Sequence, residues 1–235
     1  MPEENRPRKN EMENVLTLEE LNTEIDNKIN KINQEFTEGF HFIKTTHKSI
    51  TIFGSARTLE HEYDYKMARE LAYRASKEQG FTVVTGGGPG IMEAGNRGAY
   101  EAGGKSFGLT IKLPMEQTTN KYITDHYDFY YFFSRKVCLT FSAEAYVYFP
   151  GGFGTLDELF EILTLVQTEK IEKIPIILFG KEYWKDLDVY IRKHLLGGDF
   201  EKIDKQDLDL YTITDDIDEA LSIINKAPIR EGTEL

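Results

Sequence analysis

Apolar residues fall along this chain in two rhythms. Near the start, Leu18, Leu21, Ile25, Ile29, Ile32 and Phe36 recur at steps of three and four, which predicts one stripe on a helix of about 20 residues. Thr17-Leu18-Glu19-Glu20 ahead of it reads as a capping box, with Thr17 as N-cap. Such a stripe serves either packing against the chain's own domain or contact with another subunit. From residue 49 onward, short apolar runs alternate with helical stretches. Strands are expected over 49–53, 81–85, 106–111, 129–133, the run before Pro150 and 175–179, with a short edge strand over 210–214. Helices are expected over 61–78 and 91–102, from Ser134, from Thr155, after Gly180 and over 215–225, and a loop over 112–126. The strands are continuously apolar rather than alternating, so the pattern predicts an α/β fold, a parallel sheet of six to seven strands covered on both faces.

In such a sheet ligands sit beyond the carboxyl ends of the strands. Three glycine-bearing turns leave strands at that edge: Gly54-Ser55, Gly86 to Gly90, and Gly151-Gly152-Phe153-Gly154. The last joins the run Tyr146-Val147-Tyr148-Phe149-Pro150 to a helix marked by Leu156, Leu159, Phe160 and Leu163. A turn of this kind aims bare amides and the positive end of a helix above the strand, an arrangement suited to phosphate. It also places Glu158 one turn into that helix. Because Thr155 to Glu158 also spells a capping box, Glu158 reads either as a cap or as a functional carboxylate. Arg135 and Lys136, following Ser134 as N-cap, have the wrong sign for the helix dipole. They read as a solvated pair or as cations awaiting a bound anion. The aromatic run 127–133 reads mostly as core.

Composition narrows the classes. The 235 residues fit one domain with an extension, and 40% of them are hydrophobic, enough for a sizeable core. A net charge of −12 argues against a nucleic-acid surface, and no run reaches the roughly 18 apolar residues of a membrane span. No secretory signal is expected, and the single cysteine, Cys138, excludes an internal disulfide and points to the cytoplasm. Cys138 reads as a small buried hydrophobe. The five histidines show no metal-ligand spacing, so no metal is expected. Gly86 to Gly90 is neither G-x-G-x-x-G nor a Walker loop, which disfavours NAD and ATP hydrolysis. Residues 1 to about 13 are polar and charged, and disorder is expected there.

Pro150-Gly151-Gly152-Phe153-Gly154-Thr155-Leu156-Asp157-Glu158 matches P-G-G-x-G-T-x-x-E, and the chain thereby resembles the LOG (Lonely Guy) family. Arg135-Lys136 and Thr85-Gly86-Gly87-Gly88-Pro89-Gly90-Ile91-Met92-Glu93-Ala94 fit the same family, in the same order. The resemblance implies a Rossmann-like, doubly wound domain over 47–235, preceded by a tail and amphipathic helix over 1–46. It implies cleavage of a nucleoside 5′-monophosphate, AMP or a cytokinin riboside monophosphate, to free base and ribose 5-phosphate. No cofactor is implied; the family's older "lysine decarboxylase" label finds no sign of a pyridoxal phosphate site here. Arg135 and Glu158 would be the catalytic pair. Gly87, Gly88, Gly151, Gly152, Gly154 and Thr155 would hold the 5′-phosphate, with Ser55, Gly90, Met92, Glu93 and Lys136 completing the substrate site. A homodimer or larger homo-oligomer is implied, with neither nucleic acid nor membrane as partner. Rival readings are a non-catalytic carrier of a nucleotide or of molybdenum cofactor, which similar proteins bind, and a regulator whose N-terminal helix binds a partner.

Overall fold

The computed structural model describes residues 17–46, 48–112, 119–197 and 200–230. The expected disorder before residue 14, and the part of the expected loop over 113–118, lie outside the described residues.

Thr17 caps the first helix, α1 (Leu18–Ile43), as the sequence predicts: the Glu20 N–H donates to Thr17 Oγ1 at 3.2 Å, and the Thr17 N–H donates to Glu20 Oε2 at 2.8 Å. Its 26 residues outrun the stripe. Phe36, Phe40 and Ile43 pack on the body, whereas Leu18 is 80% exposed and Leu21, Ile25 and Ile29 also face outward. Only the C-terminal half of the stripe therefore serves the chain's own core.

Seven strands form one parallel sheet: β1 (Ser49–Phe53), β2 (Thr82–Thr85), β3 (Ser106–Ile111), β4 (Asp125–Phe129), β5 (Ala145–Tyr148), β6 (Ile176–Phe179) and β7 (Thr212–Thr214). Helices α2 (Tyr63–Gln79), α3 (Ile91–Glu101) and α7 (Ile217–Ile224) cover one face. The other carries α1, α4 (Phe132–Thr140), α5 (Phe153–Gln167) and α6 (Lys181–Tyr190). Successive side chains of a strand point to opposite faces. Thus Ala145 and Val147 of β5 enter the first layer while Tyr146 and Tyr148 enter the second. Both layers being apolar is why the run carries no alternation. α2 and α3 approach closely enough that a Cβ on Gly98 would run into the Arg69 carbonyl.

The strand order is β4-β3-β2-β1-β5-β6-β7. The chain builds outward from β1 through β4, then returns to the other side of β1 and builds outward again. β1 and β5 are therefore the pair at which the order reverses, and in open parallel sheets the crevice beyond the carboxyl ends of such a pair is where ligands bind.

Three local expectations are corrected. β4 is Asp125–Phe129, not 129–133, with Phe107 opposite Asp125 and Ile111 opposite Phe129. As an edge strand with exposed Asp125, His126 and Asp128 it has no apolar run to betray it. Tyr130, Phe132 and Phe133 have left the sheet and are exposed, so the aromatic run is core only in part. Finally, α4 begins at Phe132 with Tyr131 as N-cap, so Ser134 is not the cap and Arg135 and Lys136 fall in the second turn. The dipole mismatch is correspondingly weaker there. Cys138 is buried as expected, and burial pushes its thiol up to about 12.

Candidate active site

The three glycine turns meet physically at the β1–β5 crevice. Ser55, just past β1, donates its N–H to the Pro150 carbonyl at 2.9 Å and accepts from the Ile91 N–H at 3.0 Å. One residue thus ties the β5 turn to the β2 turn. Gly90 lies against that junction with φ at +68°, and a Cβ there would run into the Ser55 carbonyl. Only glycine satisfies both demands. Ser55 Oγ accepts from the Arg57 N–H at 3.0 Å.

The β5 turn opens α5. Gly152 is its N-cap without any side-chain cap, and Phe153 and Gly154 are its first residues. The Thr155 and Leu156 amides donate to the Gly152 carbonyl; those of Gly152, Phe153 and Gly154 find no acceptor among the described residues. A Cβ on Gly152 or Gly154 would meet nothing within 4 Å. Internal packing therefore does not require glycine at either position. Gly151 differs, since a Cβ there would collide with Thr155, and its carbonyl accepts from the Tyr183 hydroxyl at 2.5 Å. Thr155 is buried beneath the turn.

Glu158 follows one turn later. No capping box forms, because the Thr155 amide is committed to Gly152. The side chain is only 8% exposed, and its Oε2 has no hydrogen-bond partner. Burial pushes the carboxyl up to about 7, against the opposing pull of the nearby Arg135 and Lys136 charges. A carboxylate left dry and unpaired is costly.

Arg135 reaches the same cleft from α4. Its Nε–H donates to the Leu109 carbonyl of β3 at 2.7 Å. Its guanidinium covers Gly86, where a Cβ would run into it and into the Met92 thioether. Desolvation pulls its pKa down while Glu158 pulls it up, so the two charges sense each other without forming an ion pair. Lys136 is otherwise engaged. Its Nζ lies 2.7 Å from Asp157 Oδ2 and 3.0 Å from Glu161 Oε2, the second contact poorly angled for a hydrogen bond.

The remaining sequence-derived residues lie in and around the β2 turn, each with its own hydrogen-bond partners. The Gly87 amide donates to Thr85 Oγ1 at 2.9 Å, and Glu93 Oε1 accepts from the Tyr65 hydroxyl at 2.9 Å. Asn120, absent from the sequence reading, donates its side-chain amide to the Gly87 and Gly88 carbonyls at 3.2 and 3.0 Å and to Asn96 Oδ1 at 2.8 Å. Asn96 in turn accepts from Thr85 Oγ1 and donates to Ser106 Oγ. This buried network fixes the β2 turn, and no local pattern around Asn120 announces it. Among the described residues no group of three or more His, Cys, Asp or Glu is placed to hold a metal ion.

The family described as "Possible lysine decarboxylase" matches residues 92–224. The chain belongs to this family, the LOG family. Solved structures repeat the LOG-type fold. TM1055, a structural-genomics target, is 24% identical with a TM-score of 0.56, over 76% of this chain and 99% of that one. The molybdenum cofactor carrier protein of Chlamydomonas reinhardtii is 22% identical with a TM-score of 0.55, over 77% and 97%. The molybdenum cofactor binding protein of Rippkaea orientalis is 18% identical with a TM-score of 0.51, over 75% and 93%. At these identities the likeness is one of fold. A comparison with curated proteins finds no match. No helix among the described residues is long and apolar enough to cross a membrane.

Proposed function

We propose that the chain hydrolyses the N-glycosidic bond of a nucleoside 5′-monophosphate, giving free base and ribose 5-phosphate. The observation that carries this reading is the buried, unpartnered Glu158 carboxyl set one helical turn behind the bare amides of Gly152, Phe153 and Gly154. The amides and the start of α5 suit a phosphate dianion. Binding there fixes the ribose and brings its anomeric carbon toward Glu158. As the C1′–N bond breaks, its electron pair leaves with the base and positive charge builds on the sugar, as in glycoside cleavage. Ionised Glu158 stabilises that charge and takes a proton from water, whose oxygen bonds to C1′. The proton taken up by Glu158 passes through solvent to the departing base, which leaves as a neutral molecule and restores the carboxylate. Arg135 offers a planar fork for ribose or phosphate oxygens.

The test is a panel of nucleoside monophosphates, nucleosides and triphosphates, with released base followed by chromatography. Release from monophosphates alone is expected. Tight binding without release from any compound would replace the hydrolase by a carrier.

Gly154→Ala separates stability from binding. The substitution adds a methyl to an exposed helical position and should raise stability by up to about 1 kcal/mol. The methyl enters the space assigned to the anion, and losing one charge-assisted hydrogen bond weakens ribose 5-phosphate binding by roughly 10- to 100-fold. Thermal melts and calorimetric titration of the same sample would show the opposite signs. Unaltered affinity would remove the phosphate from this turn.

A further inference from the structure

We propose that Glu35, on the N-terminal helix, is a positioning residue for this site: it holds the start of the helix that carries Arg135 and keeps the guanidinium in the cleft. The inference rests on the role given to Arg135 above, but its geometry is independent of that role.

α4 is nine residues long and has no side-chain cap of its own. The first amides of such a helix lack intrahelical partners. Glu35 holds the chain just ahead of that start, from 95 residues away: the Tyr130 N–H donates to its Oε1 at 2.5 Å, and the N–H of Tyr131, the N-cap, donates to its Oε2 at 3.3 Å. The Ser134 hydroxyl donates to the same Oε2 at 2.5 Å. The carboxylate is 0% exposed, and no ion pair among the described residues includes it. A dry carboxylate is stabilised there by charge-assisted hydrogen bonds and by the positive end of α4.

A second contact one turn along α1 shows how tightly the corner is fitted. A Cβ on Gly39 would lie 2.8 Å from the Phe129 ring and 2.9 Å from Cys138 Sγ. Glu35 and Gly39 thus address the same β4–α4 junction, one with charge and one with bare backbone. Arg135 directly follows Ser134, and its Nε–H is held by Leu109 on the neighbouring strand. Cys138 and Leu139 seat the far end of the short helix in the core beside Phe107 and Leu109 of β3, whereas its start is held by α1 and by the Arg135 bond to Leu109. Releasing the start lets α4 shift, and the arginine leaves both the Leu109 carbonyl and Gly86.

The test uses the full chain with Glu35→Ala and Glu35→Gln; the glutamine keeps the shape and one accepting oxygen should the alanine variant fail to fold. The Arg135 Nε–H resonance, assigned by its loss in Arg135→Lys, reports the bond to Leu109 directly. Solvent exchange of that proton should be at least about tenfold faster in Glu35→Ala and intermediate in Glu35→Gln, since local opening sets exchange. The same loss should appear in kcat/KM, and Glu35→Gln should cost nothing further once Arg135→Ala is in place, because the two act as one unit. Unchanged Nε–H exchange in the folded variants would overturn the proposal and leave Glu35 a purely structural tie for α1. Because the resonance is read without turnover, a failure of the hydrolase reading would show separately, as no base released by the unsubstituted protein.

Discussion

Glu158→Gln should lower kcat/KM by about 10²- to 10⁴-fold, the range typical for removal of a general base, while making the protein more stable at alkaline pH. The two signs follow from one cause. Burial raises the Glu158 carboxyl from 4.5 to about 7. The folded state therefore binds a proton more tightly than the unfolded state, and stability declines as pH rises from about 4.5 through 7. Above that window the ionised group costs on the order of 3 kcal/mol. Glutamine keeps the shape without the charge, so the gain should be greatest above pH 8 and shrink toward pH 5. Urea unfolding at several pH values would measure it. Activity runs the other way with pH, because the carboxylate is the working form. The kcat/KM profile should fall on its acid side with an apparent pKa near 7, and Glu158→Gln should abolish that limb. Full turnover in the variant would reduce Glu158 to a packing residue.

Arg135→Ala should cost about 10²- to 10³-fold in kcat/KM, the scale on which single fixed electrostatic groups act. Arg135→Lys should recover little of it. An ammonium cannot hold the Leu109 carbonyl through Nε–H and still present a planar fork. The alanine variant makes a second, independent demand. Arg135 opposes the burial that raises Glu158, so its removal should move the acid limb of the profile upward. The second ionisation of a phosphate ester falls near 6 and would not move with Arg135; the limb that shifts therefore belongs to Glu158. Steady-state kinetics across pH on both variants would decide the matter. A profile indifferent to Arg135 would separate the pair.

The sequence by itself determined the parallel sheet, the capped N-terminal helix, the three glycine turns and the residues that mark the LOG family. These are local properties. β1, β2, β3, β5 and β6 are buried on both faces, so their runs are uninterrupted, and the Thr17 cap is complete within four residues. β4 escapes the apolar pattern because an edge strand needs few apolar residues, and the aromatic run beside it carries the stronger signal. The two readings of Glu158 could not be separated locally, since T-x-x-E fits a cap and a functional acid alike. The helix starts two residues before Thr155 and commits that amide to Gly152, which frees the carboxylate. What tertiary structure alone decided is where partners meet across long stretches of chain. The reversal of strand order sets β1 beside β5, Ser55 then bridges two turns, Asn120 pins one of them, and Glu35 holds the approach to α4 through an amide 95 residues away. Hydrogen bonds of that reach leave no periodicity in sequence, because each partner is chosen by packing and not by spacing.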